Sequence, residues 1–149
     1  MILATDFKCF VKILFSVCLL FFQRASIFAQ NQKVADSLVK IYQKNKLENS
    51  EKLELLRNLS FNEVNNLELS LKYADELIAL SKLEKNYLYL HRGYYQKGNK
   101  NRLIGDLNKA LNDFFKSAEA ASKAKFITGK GVAYMSIADV YSIMGNANN

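Results

Sequence analysis

A short pattern recurs in this sequence at a spacing of 40 residues, and no other feature limits its fold as tightly. Residues 64–71 read Val-Asn-Asn-Leu-Glu-Leu-Ser-Leu, residues 104–111 read Ile-Gly-Asp-Leu-Asn-Lys-Ala-Leu, and residues 144–147 read Met-Gly-Asn-Ala. Val64, Ile104 and Met144 therefore correspond, as do Asn65, Gly105 and Gly145, and then Asn66, Asp106 and Asn146. Gly and Asn at the middle place tolerate positive φ, which the end of a helix commonly requires. Asn or Asp directly after it is a favoured N-cap for a following helix. Each copy thus predicts a helix–turn–helix corner, and a fixed period of this size is the mark of a solenoid.

Between the corners the apolar residues fall at helical spacing. Leu67, Leu71, Ala74, Leu77 and Ile78 make one face, and Leu107, Leu111, Phe114, Ala118 and Ala121 make the equivalent face one period on. The second of these helices is crowded with Ala110, Ser117, Ala118, Ala120 and Ala121, small residues that permit a neighbouring helix to approach closely. Upstream, Val34, Leu38, Ile41 and Tyr42 form a shorter stripe, Lys44–Ser50 reads as a polar linker, and Ser50 is placed to cap the next helix. The expected helices are 32–44, 51–64, 67–83, 86–104, 107–124 and 127–144. The chain has no proline, which suits an all-α fold of helices joined by short polar turns.

Within this frame Tyr134-x-x-Ile137-Ala138-x-x-Tyr141, followed by Gly145-Asn146, resembles the first helix of a tetratricopeptide repeat. Ala110-x-x-x-Phe114, preceded by Gly105-Asp106, resembles the second helix, and Gly98 stands at the glycine position of that family. The resemblance covers residues 51–149, as two full repeats and the first helix of a third, with residues 30–50 left as an N-terminal helix and linker. The period of 40 exceeds the family's usual length of about 34, and the proline that often closes a repeat is absent. Lys97 and Asn101 occupy places that are usually apolar. The resemblance implies a right-handed superhelical solenoid of antiparallel helix pairs, whose first helices line the concave side.

The first 29 residues read as a signal peptide. Lys8 and Lys12 precede an unbroken apolar run from Ile13 to Phe22, which Gln23-Arg24 ends at half the length a membrane span needs. Ile27-Phe28-Ala29 offers a small residue at the cleavage position, so the mature chain is expected to begin at Gln30, with an uncleaved N-terminal anchor as the alternative. Cys9 and Cys18 leave with the peptide, which suits an oxidising, periplasmic or other extracytoplasmic compartment. The remaining 120 residues carry 18 basic and 13 acidic side chains, a net charge of +5.

Motifs for chemistry are weak. His91 is the sole imidazole and no motif supplies it with a partner, so it reads as a solvent-facing or capping residue near a helix start. Gly129-Lys130-Gly131 lacks the first glycine and the hydroxyl residue of a phosphate loop and reads as a helix-start turn. Lys85, Arg92, Lys97, Lys100 and Arg102 alternate with Tyr87, Tyr89, Tyr94 and Tyr95, but behind an export signal these are expected to pack rather than to bind nucleic acid. Asp106 is accounted for as a cap, which leaves Asp113 without an acidic partner. No cofactor, metal or enzymatic activity is expected within these residues.

Binding by surface remains. By the family resemblance, the concave positions are Arg92, Tyr95, Gln96, Asn99 and Arg102, followed by Met135, Asp139 and Ser142. Two guanidinium groups, amide donors and an aromatic ring on one helical stripe suit an extended, acidic peptide. The carboxylate clamp of some family members is not implied, because Tyr95 stands where its lysine would be. Two readings follow: an exported interaction or sensory module, or the regulatory front of a membrane-bound adenylate/guanylate cyclase or histidine kinase whose output domain lies elsewhere. The 40-residue register also leaves the last helix, 127–144, without a following partner, so these residues are expected to be a fragment of a longer array in which 127–149 fray or self-associate through that uncapped helix.

Overall fold

The computed structural model describes residues 32–44 and 47–147. The expected signal peptide, residues 1–29, lies outside them. Every regular element among the described residues is an α-helix: α1 at 32–43, α2 Asn49–Asn62, α3 Leu67–Leu83, α4 Tyr87–Ile104, α5 Leu107–Lys123 and α6 Ile127–Ala147.

Consecutive helices from α2 to α6 pack on one another, and α2 with α4 and α4 with α6 also touch. The pairing is antiparallel between neighbours. His91 meets Ser117 while Asn101 meets Asp113, so positions rise on α4 as they fall on α5. It is parallel between alternate helices: Tyr89 bonds Glu54, Lys100 bonds the Glu63 carbonyl, and Ser136 bonds Tyr95, all at separations of 35 to 41 residues. One apolar cluster joins Leu53, Leu56, Leu59, Tyr73 and Leu77, with Leu38, Val39 and Tyr42 of α1 against it. A second joins Ala110, Leu111, Phe114, Ile137 and Val140. Gly98 lies against α5. A Cβ there would lie 2.8 Å from the buried ring of Phe114, so bare backbone is needed for α5 to seat.

The corners are built in two ways. At Gly105 (φ 89°) the chain turns left-handed, and Asp106 N–H donates to the Asn101 carbonyl at 2.9 Å to close the helix end. Asp106 and Asn66 cap as expected, their side chains accepting from the backbone N–H of Lys109 and Leu69. Asn65, however, does not take positive φ. The Glu63 carboxylate accepts from the N–H of Asn65 and Asn66 at 3.1 and 2.9 Å, so side chains do the work of the missing glycine. Because the chain turns there, α2 stops at Asn62 rather than 64. It begins at Asn49, with Glu48 at the N-cap position and Ser50 inside the helix instead of capping it. The third corner is absent among the described residues: α6 runs through Gly145 to Ala147, and a Cβ at Gly145 would meet no atom within 4 Å.

The two other corners, at the expected breaks between 83 and 86 and between 124 and 127, share a form that the sequence did not show. Lys85 and Lys125, 40 residues apart, both adopt left-handed φ, at 51° and 55°. In each, the following N–H returns to a carbonyl five residues earlier, Asn86 to Ser81 and Phe126 to Ala121, both at 2.9 Å. The ends of α1, α3 and α5 at 43, 83 and 123 are likewise one period apart.

A side chain in the left-handed region crowds the following carbonyl, a penalty glycine does not carry. Lys85→Gly and Lys125→Gly should therefore each stabilise the fold by about 0.5–1 kcal/mol. The double variant should raise Tm by several degrees in a thermal melt followed by circular dichroism. An unchanged or lowered Tm would show that the lysines earn their place through contacts of their own.

Candidate functional site

Because α2, α4 and α6 lie side by side, their outward positions share one surface, and the expected stripe falls on it. Its residues are not equally free. The Arg92 guanidinium lies 3.5 Å from Glu54 of α2 and 4.9 Å over the Tyr89 ring. Glu54 also accepts from the Tyr89 hydroxyl at 2.8 Å and from Arg57 at 3.1 Å. Burial pushes the Glu54 carboxyl upward, but the Tyr89 hydroxyl, Arg57, Asn58 and Arg92 outweigh it and hold the group below its ordinary value. Burial first, and the bond to Glu54 second, push the Tyr89 hydroxyl up. This cluster at the α2–α4 seam was not singled out in the sequence; the one available signal was that Glu54 precedes Tyr89 and Arg92 by nearly one period.

Tyr95 does not offer an open ring. It packs 5.6 Å from Phe114 and 6.0 Å from His91, and its hydroxyl accepts from Ser136 Oγ at 3.4 Å. Gln96 and Asn99 are half-exposed. Arg102 is partly covered, and its Nε is buried with no hydrogen-bond partner among the described residues. On α6, Met135, Asp139 and Ser142 are exposed, Met135 beside the Ser136 that meets Tyr95. On α4, Arg92 is thus tethered and Tyr95 consumed by packing, and the contact shown between α4 and α6 near the stripe is that of Ser136 with Tyr95.

The other basic and aromatic residues of 85–102 do not converge. Lys97 pairs with Asp75 at 2.6 Å, and Lys100 is buried with Nζ donating to the Glu63 carbonyl at 3.1 Å. Tyr94 lies between Lys82 and Lys116, each 5.7 Å from its ring, while Tyr87 lies under Lys123. Asp106 caps α5, and Asp113 accepts from Asn101 Nδ2 at 2.8 Å. Gly129-Lys130-Gly131 occupies the start of α6. Among the described residues no three His, Cys, Asp or Glu side chains are grouped to hold a metal ion, and no helix is long and apolar enough to cross a membrane.

His91 differs from expectation. It is 5 % exposed, at the junction of α4, α5 and α6, rather than solvent-facing. Nδ1 lies 2.8 Å from Ser117 Oγ, and the ring stands edge-on to Phe126, 5.5 Å away. A Cβ at Gly129 would come within 2.6 Å of Nε2, so the glycine is required for the ring to fit. Gly129, in the helix-start segment expected from the sequence, therefore lies under both the Phe126 ring and the buried imidazole. Neither family models nor curated proteins nor solved structures match this chain.

Burial lowers the pKa of His91, and the Arg92 charge adds to this, against an opposing bond to the Ser117 carbonyl. The unfolded chain, with histidine near its ordinary value of about 6.5, then binds the proton more readily than the folded one. The stabilising effect of neutral His91 is fully present above that pH and is lost as pH falls toward the lowered folded value. Urea unfolding midpoints should drop more steeply between pH 6.5 and 5 for the wild type than for His91→Gln. Parallel pH profiles would show that His91 does not titrate with folding.

Proposed function

We propose that this chain is an exported, tetratricopeptide-like interaction module that acts by holding an extended acidic peptide across α2, α4 and α6. The observation that carries the reading is the direct, parallel contact of these three helices at separations of 35 to 41 residues. Stacking of repeats in one direction has this consequence, and it supports a superhelical solenoid. The antiparallel neighbours, the glycine under Phe114 and the left-handed corners at one-period intervals fit the same reading.

Within the shared surface, Arg57 and Arg92 flank a single carboxylate, Glu54, so the seam has more positive than negative charge. A peptide carboxylate approaching it would compete with Glu54 for Arg92, while Gln96 and Asn99 supply amide donors for peptide carbonyls. Arg102 provides a second guanidinium further along α4. Periplasmic or extracytoplasmic placement, after cleavage behind Ala29, belongs to this proposal, as does the role of front module for a cyclase or histidine kinase. The mild net charge of +5 on the mature residues fits a preference for acidic partners.

An array of extended Asp- and Glu-rich peptides, read by fluorescence, tests the reading. Binding should weaken as salt rises, and Arg92→Ala with Arg102→Ala should abolish it while the helical circular dichroism stays unchanged. Equal binding by the double variant would remove the stripe from consideration. N-terminal sequencing of the exported protein should begin at Gln30, and retention of Met1 would overturn the cleavage.

A further inference from the structure

Alternate helices are not spaced alike on the two sides of this fold. Helix α2 touches α4 and α4 touches α6, but α3 and α5 do not touch, so a trench runs between them with α4 as its floor. Gly93 lets α3 close on one side of α4, against Ile78, and Gly98 lets α5 close on the other, against Phe114. Leu90, Tyr94, Lys97 and Asn101 project between the two walls at spacings of 4, 3 and 4, one helical stripe. They lie about half a turn around α4 from Arg92 and Asn99, so the trench and the peptide stripe occupy opposite sides of the same helix.

Two cavities of about 370 and 250 Å³ open in the trench and share three lining residues: Lys82 of the α3 wall, Tyr94 of the floor and Lys116 of the α5 wall. Most other charges along it are paired. Lys97 meets Asp75 at 2.6 Å, Lys109 meets Asp106 at 2.7 Å, and Lys123 meets Glu119 at 2.7 Å. Lys82 and Lys116 enter none of the ion pairs among the described residues. Each Nζ instead lies 5.7 Å from the centre of the Tyr94 ring. Two ammoniums from opposite walls thus converge on one phenol, with the Asp113 carboxylate further into the larger cavity.

A phosphate monoester meets this arrangement. Its charge of nearly two matches two ammoniums, and its oxygens reach toward both walls at once, as those of a flat, singly charged carboxylate do not. The Tyr94 hydroxyl is a further donor. Beyond this head group the larger cavity continues to Asn101, Asn112 and Asp113. Asn101 and Asp113 are 5 % and 4 % exposed, and the 2.8 Å bond between them uses one amide hydrogen and one carboxylate oxygen. The Asn101 carbonyl oxygen and the second Asp113 oxygen have no other partner among the described residues, yet neither is sealed from solvent. Both atoms therefore open onto the cavity that their residues line. Acceptors held at the bottom of a cavity, with the Asn112 amide on its wall, suit the hydroxyl groups of a polyol.

We propose that the trench binds a small, soluble phosphorylated polyol. Lys82 and Lys116 hold the phosphate at Tyr94, and Asn101, Asn112 and Asp113 take the hydroxyls. The site does not depend on the peptide stripe, and every residue in it belongs to α3, α4 or α5.

Isothermal titration calorimetry on the full chain, purified after export, tests this at low ionic strength with sn-glycerol 3-phosphate as the probe. Inorganic phosphate and succinate should bind about tenfold more weakly, and glycerol should give no heat. Lys82→Ala and Lys116→Ala should each weaken glycerol phosphate binding about tenfold, and the double variant should abolish it. Asn112→Ala should weaken glycerol phosphate several-fold and leave inorganic phosphate unchanged. Lys72→Ala removes the same charge from α3 outside both cavities and should change nothing. All four positions are exposed, so each variant should keep the wild-type circular dichroism. No binding of glycerol phosphate, equal binding of succinate, or an equal loss in Lys72→Ala would each overturn the proposal. Vesicles of phosphatidylcholine carrying phosphatidic acid present the same monoester on a surface. Binding to them without binding of free glycerol phosphate would also overturn it, by moving the chemistry to a membrane.

Discussion

Helix α4 presents bare backbone at two places, and the packing of the whole chain depends on it. Gly93 lies against α3, where a Cβ would come within 2.8 Å of Ile78 Cγ1, and Gly98 lies against α5, where it would meet the Phe114 ring at the same distance. Two antiparallel neighbours can therefore close on the same helix from different sides. Each glycine costs the helix roughly 1 kcal/mol relative to alanine, but the approach it allows buries Ile78 and Phe114 almost completely. Helix α4 in turn lies between the two apolar clusters and touches α2 and α6 as well. If either glycine gained a side chain, the strain would fall on side chains already packed to near-crystalline density.

Polar pairs stand where the repeat pattern leads one to expect apolar contacts. Lys97 pairs with Asp75 of α3, Asn101 with Asp113 of α5, and Lys100 with the last carbonyl of α2. The third of these puts a cation at a helix C-terminus, where the helix dipole favours positive charge. Burial lowers the pKa of Lys100 against the pull of Glu63, and it raises that of Asp113 against the bond from Asn101. The buried groups, Lys100, Asn101 and Asp113, add little net stability over an apolar equivalent, yet they penalise any slip along the helix, because a slip would leave each of them buried without its partner. Register between α4 and its neighbours is thus held by polar groups of the helix whose sequence looks least suited to packing.

Much of the fold was legible because it follows from local chemistry repeated at one interval. Asn66 and Asp106 cap where the sequence placed them, and the small residues of α5 are buried against their neighbours as their size implied. What was hidden depends on tertiary context. Lysine is not a residue that marks a left-handed turn, so the breaks at Lys85 and Lys125 were legible but their left-handed form was not. Gly145 sits in helix because a glycine permits a corner without compelling one. His91 was misread for a similar reason: its partners, Ser117, Phe126 and Gly129, come from α5, the next corner and α6, which no spacing along the chain connects. Of the candidate stripe, position was legible and availability was not, since the salt bridge of Arg92 and the packing of Tyr95 both come from neighbouring helices.

Met135, Asp139 and Ser142 of the candidate stripe each follow an exposed residue of α6, Tyr134, Ala138 and Tyr141, by one position. One residue is a rotation of about 100° around a helix, so the two sets face different directions. Helix α4 divides its surface in the same way: Gly98 and Asn101 meet α5 while Arg92 and Asn99 stay partly exposed. A side chain of the stripe can therefore be reached from solvent without disturbing the packing of its own helix.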